Sequence, residues 1–162
     1  MSKTPRPLLL SMSLAVGLGV SLAVAAAGTA LAADNPVVQR QALMDATAAA
    51  AGLSGGMLKG EIPYNPTAAK SAITTLWAVS RNYGHLFPAG SETGNNTEAS
   101  PNIWKDRAGF DAELAKFTAD VDKAKEVSGK DGPADLASFK EAMTPVLANC
   151  KACHKDYRLT KK

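Results

Sequence analysis

Apolar residues along most of this chain recur at intervals of three and four positions, which is the spacing of one helical face. The pattern begins after position 34 and continues almost to the C-terminus. No segment shows the sustained two-residue alternation of apolar and polar positions that is typical of a strand. We therefore predict four helices, over about 35–58, 66–82, 101–127 and 134–157.

Prolines and glycines mark the expected helix ends. Asn35-Pro36 and Asn65-Pro66 each place a capping residue before a proline, whose missing N–H costs nothing at the first helical position. Lys59-Gly60 is typical of a helix C-terminus, with a basic last turn followed by a glycine cap. Pro145 falls inside the fourth helix, where we expect a kink or one locally opened turn.

The connections between the helices indicate how they assemble. Short polar links join the first helix to the second and the third helix to the fourth, whereas a long loop, Tyr83–Ala99, separates the second from the third. Short links place successive helices side by side and antiparallel. We predict an all-α fold, an antiparallel up-down-up-down four-helix bundle, in which the long loop has a functional role.

The N-terminal segment has a composition of its own. Lys3 and Arg6 precede a stretch from Pro7 to Ala33 that contains no charged residue, and Ala30-Leu31-Ala32 has the small residues of a peptidase site. This order is typical of a secretory signal peptide. The alternative is a retained membrane anchor, because the uncharged stretch is long enough to span a bilayer.

Glycine and serine residues within the uncharged stretch favour cleavage over retention. We therefore predict a signal peptide over residues 1–32, cleaved after Ala32 or Ala33, and a folded domain over residues 33–162. An exported, alanine-rich chain with such a leader is typical of the bacterial periplasm.

The composition excludes several classes of function. The 162 residues carry 18 Lys+Arg and 15 Asp+Glu, a formal net charge of +3 that falls to +1 without the two basic residues of the leader. This balance gives no reason to expect a nucleic-acid partner, which favours a strongly basic stripe. The 2 cysteines lie close together near the C-terminus, which excludes a disulfide-stapled scaffold. No paired-acid motif indicates an enzyme.

The clearest chemical signal is Cys150-Lys151-Ala152-Cys153-His154, a C-x-x-C-H motif typical of covalent haem c attachment. Its two thiols lie about one helical turn apart, so each can add to a vinyl group of the same porphyrin. His154 would then bind the iron as the proximal ligand. One motif predicts one covalently bound haem.

Three other interpretations of this motif remain open. A thioredoxin-like redox pair expects a βαβ setting, which this chain lacks. A disulfide between Cys150 and Cys153 would close a very short loop and stabilise little. A zinc site would need His85 as well as His154, but His154 adjoins Cys153 and is poorly placed to chelate with it.

Helix geometry indicates a second axial ligand. His154 lies near the end of the fourth helix, and the antiparallel first helix begins at that same end of the bundle. Met44 is about 12 Å along the first helix, whereas Met57 lies about 20 Å further on. Met143 shares a helix with His154 and cannot reach the opposite face. Met44 therefore fits, with core packing as its alternative role and His85 of the long loop as the competing ligand.

A C-terminal C-x-x-C-H motif on a four-helix bundle resembles the cytochrome c-prime family, the class II c-type cytochromes. The likeness covers essentially the whole chain after the leader. The residues that carry it are Arg40-Gln41-Ala42-Leu43-Met44, Lys59-Gly60-Glu61, Pro63-Tyr64, Leu86-Phe87-Pro88, Pro101-Asn102-Ile103-Trp104 and positions 150–158.

The resemblance implies roles for individual residues. High-spin members of the family place an apolar residue over the iron and low-spin members a methionine, and counting back from Lys59-Gly60 puts Met44 at this position. Arg40 and Gln41 match residues that contact the haem or its propionates, and Arg158 matches a proximal-side arginine. Dimerisation through the first two helices is common in the family, so a homodimer is a further expectation.

These observations predict a periplasmic protein with one haem that carries single electrons and is not an enzyme. His/Met ligation saturates the iron, raises its potential and favours outer-sphere electron transfer. The expected partners are soluble or membrane-bound redox proteins. The alternative is a high-spin protein that binds nitric oxide or carbon monoxide at an open iron site.

Overall fold

The computed structural model describes residues 35–160, and the expected leader lies outside this range. In chain order the helices are α1 (Pro36–Lys59), α2 (Pro66–Asn82), a 3₁₀ turn (Tyr83–Leu86), α3 (Asn102–Lys105), α4 (Arg107–Ser128) and α5 (Leu136–Tyr157). Within the described range, strand-like pairing is limited to one isolated antiparallel bridge between Ala99 and Arg158. The four long helices form the predicted antiparallel bundle, in which α1 packs on α2, α2 on α4 and α4 on α5.

The predicted helix ends are confirmed by their hydrogen bonds. The Asn35 side chain accepts from the N–H groups of Val37 and Val38, and the Asn65 side chain accepts from that of Ala68. Gly60 adopts the left-handed conformation with φ 77° and donates its N–H to the last turn of α1. None of the helices in the described range is long and apolar enough to cross a membrane.

Two apolar clusters divide the bundle along its axis. The larger cluster fills the half where α1 ends and α5 begins, and its bulkiest buried side chains are Met57, Ile73, Leu76, Val121, Phe139, Met143 and Val146. The smaller cluster lies at the other end, beside Cys153, and contains Phe87, Ile103, Phe110 and Tyr157. The bundle is therefore closely packed at one end and walled mainly by aromatic residues at the other.

The prediction of one continuous third helix is wrong, because this segment is broken into α3 and α4. Asp106 separates them in a non-helical conformation, with φ −125° and ψ 62°. Its Oδ1 accepts from the N–H of Gly109 and so caps α4, and its Oδ2 accepts from the hydroxyl of Tyr157 at 3.0 Å. Burial and this hydrogen bond raise the pKa of Tyr157 to about 12, so the phenol remains a donor. The break therefore depends on a contact with α5 that local sequence does not reveal.

Pro145 does not interrupt α5, which is continuous from Leu136 to Tyr157. The carbonyl that loses its helical donor belongs to Glu141, which is exposed and open to solvent. The carbonyl of Pro145 itself accepts from the Asn149 side chain at 3.0 Å. The helix therefore continues through the expected opened turn, and the alternative expectation of a kink stays a prediction.

Replacing Asp106 tests what holds the start of α4. We expect Asp106→Ala to lower the free energy of unfolding by about 2–3 kcal/mol, because it removes a helix cap and leaves the Tyr157 hydroxyl buried without its acceptor. Asp111→Ala is the matched control, since its exposed ion pair with Arg107 contributes less than about 1 kcal/mol. Thermal and denaturant unfolding of the haem-loaded protein measure both. Equal losses in the two variants would contradict this role of Asp106.

Candidate functional site

A cavity of about 750 Å³ opens in the half of the bundle where α1 begins and α5 ends. Side chains of α1, α4 and α5 and the end of the long loop form its walls. Its volume is in the range of about 300–1,000 Å³ that is typical of cofactor sites. The cavity brings together all the predicted site residues, namely Arg40, Gln41, Met44, Cys150, Cys153, His154 and Arg158.

The two cysteines reach the cavity from adjacent turns of α5 as half-buried free thiols. Burial raises the pKa of Cys150. Burial and the nearby Glu113 carboxylate raise the pKa of Cys153 to about 11. Both thiols therefore carry their protons at neutral pH.

The imidazole of His154 is half-buried in the same cavity. Burial lowers its pKa, and the charge of Arg158 lowers it further against the opposing effect of Glu98. Neutral imidazole, the form that binds a metal, is therefore favoured at neutral pH. Among residues 35–160, no group of three or more His, Cys, Asp or Glu side chains could hold a metal ion, which speaks against the zinc interpretation.

The candidates for the second axial ligand are three methionines and His85, and of these Met44 lines the cavity. It is half-buried on the face of α1 that also presents Ala48 and Ala51 to the cavity. Met57 and Met143 lie elsewhere, completely buried in the larger apolar cluster. The exposed His85 lies in a separate cleft between the end of α2 and α4.

The polar residues of α1 next to Met44 are directed towards the long loop. Arg40 is only 2% exposed, and its guanidinium donates to Leu86, Ser91 and Thr97. Burial lowers the pKa of Arg40 from its ordinary value, but an arginine remains charged at neutral pH. Gln41 donates from Nε2 to the carbonyl of Asn95 at 2.8 Å. Both side chains thus bind protein groups as well as lining the cavity.

Two polar residues of the cavity were missed in the sequence. Glu113 and Asn149 both line it, and among the described residues Glu113 Oε2 and Asn149 Oδ1 are buried without a hydrogen-bond partner. The other end of the Asn149 amide donates to Asp120 Oδ2 at 2.9 Å. Glu113 interrupts the apolar face of α4 between Phe110 and Phe117, which is a signal that could have identified it.

The residues present fit a covalently bound haem. The cavity supplies two thiols one turn apart, an adjacent imidazole and a thioether, which is the donor set of haem c with His/Met ligation. It also holds buried polar oxygens that lack partners in the protein. The fold and the site together define a c-type haem protein built on a four-helix bundle.

Comparison with known proteins identifies the family. Residues 35–158 match the family model described as Cytochrome C', and the chain belongs to that family. Proteins of this family carry a covalently attached c-type haem, so the predicted cofactor and the predicted fold are both confirmed.

Relatives with different names share this fold. A cytochrome c-556 from Agrobacterium tumefaciens (strain II Chrys) is 37% identical over 125 residues, covering 77% of this chain and 98% of the relative. The structure of cytochrome c' from Rhodopseudomonas palustris is 34% identical with a TM-score of 0.72, covering 79% of this chain and 98% of that one. A mutant of cytochrome c prime from Alcaligenes xylosoxidans, solved as a nitric oxide complex, is 30% identical with a TM-score of 0.66, covering 77% and 94%.

The attachment residues can be tested by removing the thiols. We expect the double variant Cys150→Ser, Cys153→Ser to lose covalent haem, because no other thiol is available in the chain. Each single variant should keep one thioether at most. Haem staining after denaturing electrophoresis measures the covalent bond, and the exposed Lys151→Ala serves as the control that retains it. A stained band from the double variant would assign attachment to other residues.

Proposed function

We propose that this protein is a periplasmic one-electron carrier in which Cys150 and Cys153 hold the haem while His154 and Met44 bind its iron. The observation that carries this proposal is the presence of Met44 in the cavity of the C-x-x-C-H motif. When bound, the haem supplies a one-electron couple between ferric and ferrous iron.

The protein's own side chains would set the potential of that couple. The soft thioether of Met44 favours the ferrous state and so raises the potential. Ile103 and Phe110 form almost completely buried apolar walls, which limit solvent access and lower the local dielectric. These residues would keep the haem site in one geometry, and we propose no catalytic activity for the protein.

The proposed location and partners follow from the leader and the charge. The predicted signal peptide, residues 1–32, supports export to the periplasm. We propose soluble or membrane-bound redox proteins as partners and expect no nucleic acid. Near-neutral net charge favours docking through a local surface over long-range steering. From the likeness to the family we also propose a homodimer through α1 and α2.

A second candidate function is the binding of a diatomic gas at the iron. The nitric oxide complex of the Alcaligenes xylosoxidans relative supports it. The absorption spectrum of the oxidised protein separates the two functions, because His/Met ligation gives a sulfur-to-iron band and an open site gives a high-spin pattern.

Replacing Met44 tests the electron-carrier proposal most directly. We expect Met44→Ala to turn low-spin ferric iron into high-spin iron and to allow rapid carbon monoxide binding in the reduced state. The potential should fall by on the order of 100 mV, because axial ligands set haem potentials over about 0.8 V. Absorption spectra, carbon monoxide mixing and redox titration measure these changes.

Met57→Ala is the matched control for this experiment. It removes a completely buried methionine from the larger apolar cluster and should cost about 2–5 kcal/mol of stability without altering the spin state. A wild-type protein that is already high-spin near neutral pH and binds carbon monoxide freely would replace the electron-carrier proposal with the gas-binding one.

Replacing His85 tests the competing ligand. We expect His85→Ala to keep the spin state and the potential of the wild type, because His85 lies in a cleft outside the cavity. Near-infrared magnetic circular dichroism distinguishes bis-histidine from His/Met iron. A bis-histidine signal in the wild type that disappears in this variant would show that His85, and not Met44, is the ligand.

A further inference from the structure

The last part of the long loop crosses from α1 to the end of α5. We name residues 91–99 the cavity strap, because its final four residues line the cavity. At its C-terminal end the strap is joined to the turn that follows His154. Glu98 accepts from the N–H of Leu159 at 2.8 Å, Ala99 pairs with Arg158, and the N–H of Ser100 donates to Tyr157 at 3.1 Å.

Arg40 joins the other end of the strap to α1. Its Nη2 donates to the carbonyl of Ser91 and to Thr97 Oγ1, each at 2.7 Å, and its Nη1 donates to Ser91 Oγ at 3.1 Å. Nη1 also donates to the carbonyl of Leu86 at 3.3 Å. All four acceptors are uncharged oxygens of the loop. One buried side chain therefore holds both ends of the segment from 91 to 97.

Two aromatic rings fix the plane of the same guanidinium. The Arg40 Cζ atom lies 4.9 Å from the ring centre of Phe87 and 5.6 Å from that of Trp104. Trp104 is itself attached to the loop, because its Nε1 donates to the carbonyl of Pro88 at 3.2 Å. A planar, forked donor satisfies this arrangement, whereas the single ammonium of a lysine cannot reach the same acceptors.

The two anchor points of the strap lie next to the proposed axial ligands. Arg40 is one helical turn before Met44 on α1, and Arg158 is one turn after His154 at the end of α5. Taken over their whole lengths, α1 packs mainly on α2 and α5 mainly on α4. The strap is thus a direct link between the two turns that carry Met44 and His154.

We propose that Arg40 is a positioning residue that, through the cavity strap, holds α1 and α5 at the separation at which Met44 and His154 bind one iron. The closed strap also excludes external ligands from the cavity. The statement about Met44 and His154 rests on the proposed function, whereas the statement about external ligands does not.

Two substitutions of Arg40 separate this role from a role of its charge. Arg40→Gln and Arg40→Lys both lose the forked donor, but Arg40→Lys keeps the positive charge. In the haem-loaded protein we expect both variants to shift ferric iron towards high spin and to bind carbon monoxide about tenfold faster or more, since a hydrogen bond from a charged donor contributes on the order of that factor. A wild-type spectrum and carbon monoxide rate in Arg40→Lys would overturn the proposal.

Hydrogen exchange of the strap gives a readout that does not depend on the iron. We expect the backbone amides of residues 91–99 to exchange about tenfold faster or more in both Arg40 variants, while the amides of the larger cluster keep their protection. Unchanged exchange in the strap would overturn the proposal. If the wild type proves high-spin, the role of Met44 fails, whereas faster exchange and faster carbon monoxide binding in the variants would still support the strap.

Two further variants test whether a general loss of folding could explain the changes in the Arg40 variants. Thr97→Val removes one acceptor of the strap and leaves Arg40 in place, so we expect the same changes at smaller size. Arg81→Gln is the matched control, because Arg81 also stacks on a tryptophan and pairs with Asp122, but lies outside the cavity. A spin-state change in Arg81→Gln equal to that in Arg40→Gln would overturn the specific role of Arg40.

Discussion

The structure depends on a cavity that the protein's own side chains leave in one half of a four-helix bundle, while the other half packs closely. On α1 this contrast is visible along a single face, where Ala48 and Ala51 line the cavity and Met57 fills the apolar core further along. A cavity with apolar walls costs stability unless a ligand occupies it, because the atoms around it otherwise lose contacts that no water replaces. The haem that the family carries is therefore part of the core of this protein, and the bundle is complete only with it.

Directional polar contacts hold the walls of the half that contains the cavity, where apolar packing is thin. Asp106 ties the start of α4 to Tyr157 at the end of α5, and Asn149 ties α5 to Asp120 in the middle of α4. Arg40 ties α1 to the loop that reaches the end of α5. In the closely packed half, a cross-link such as that from Lys125 Nζ to Thr74 Oγ1 lies at the exposed surface, and the volumes of the buried side chains determine how the helices fit.

The structural features that could be predicted from the sequence are those that neighbouring residues determine. The ends of α1 and α2 follow from an asparagine before a proline, and from Gly60 in a conformation that few other residues adopt. The C-x-x-C-H motif and the position of Met44 along α1 also predicted that these side chains lie close together, and they line the same cavity. The break at Asp106 and the hydrogen bonds of Arg40 were missed, because each depends on a partner more than twenty positions away in the chain. Glu113 was missed although its place on the apolar face of α4 is a local signal.

The burial of the two thiols in the folded bundle determines an order of events. Once the bundle closes, both thiols are half-buried and protonated, whereas the thiolate is the nucleophilic form. A chain that folded first would present these sulfur atoms in their least reactive state. Haem attachment is therefore favoured while α5 is still open, before the exported chain closes into the bundle.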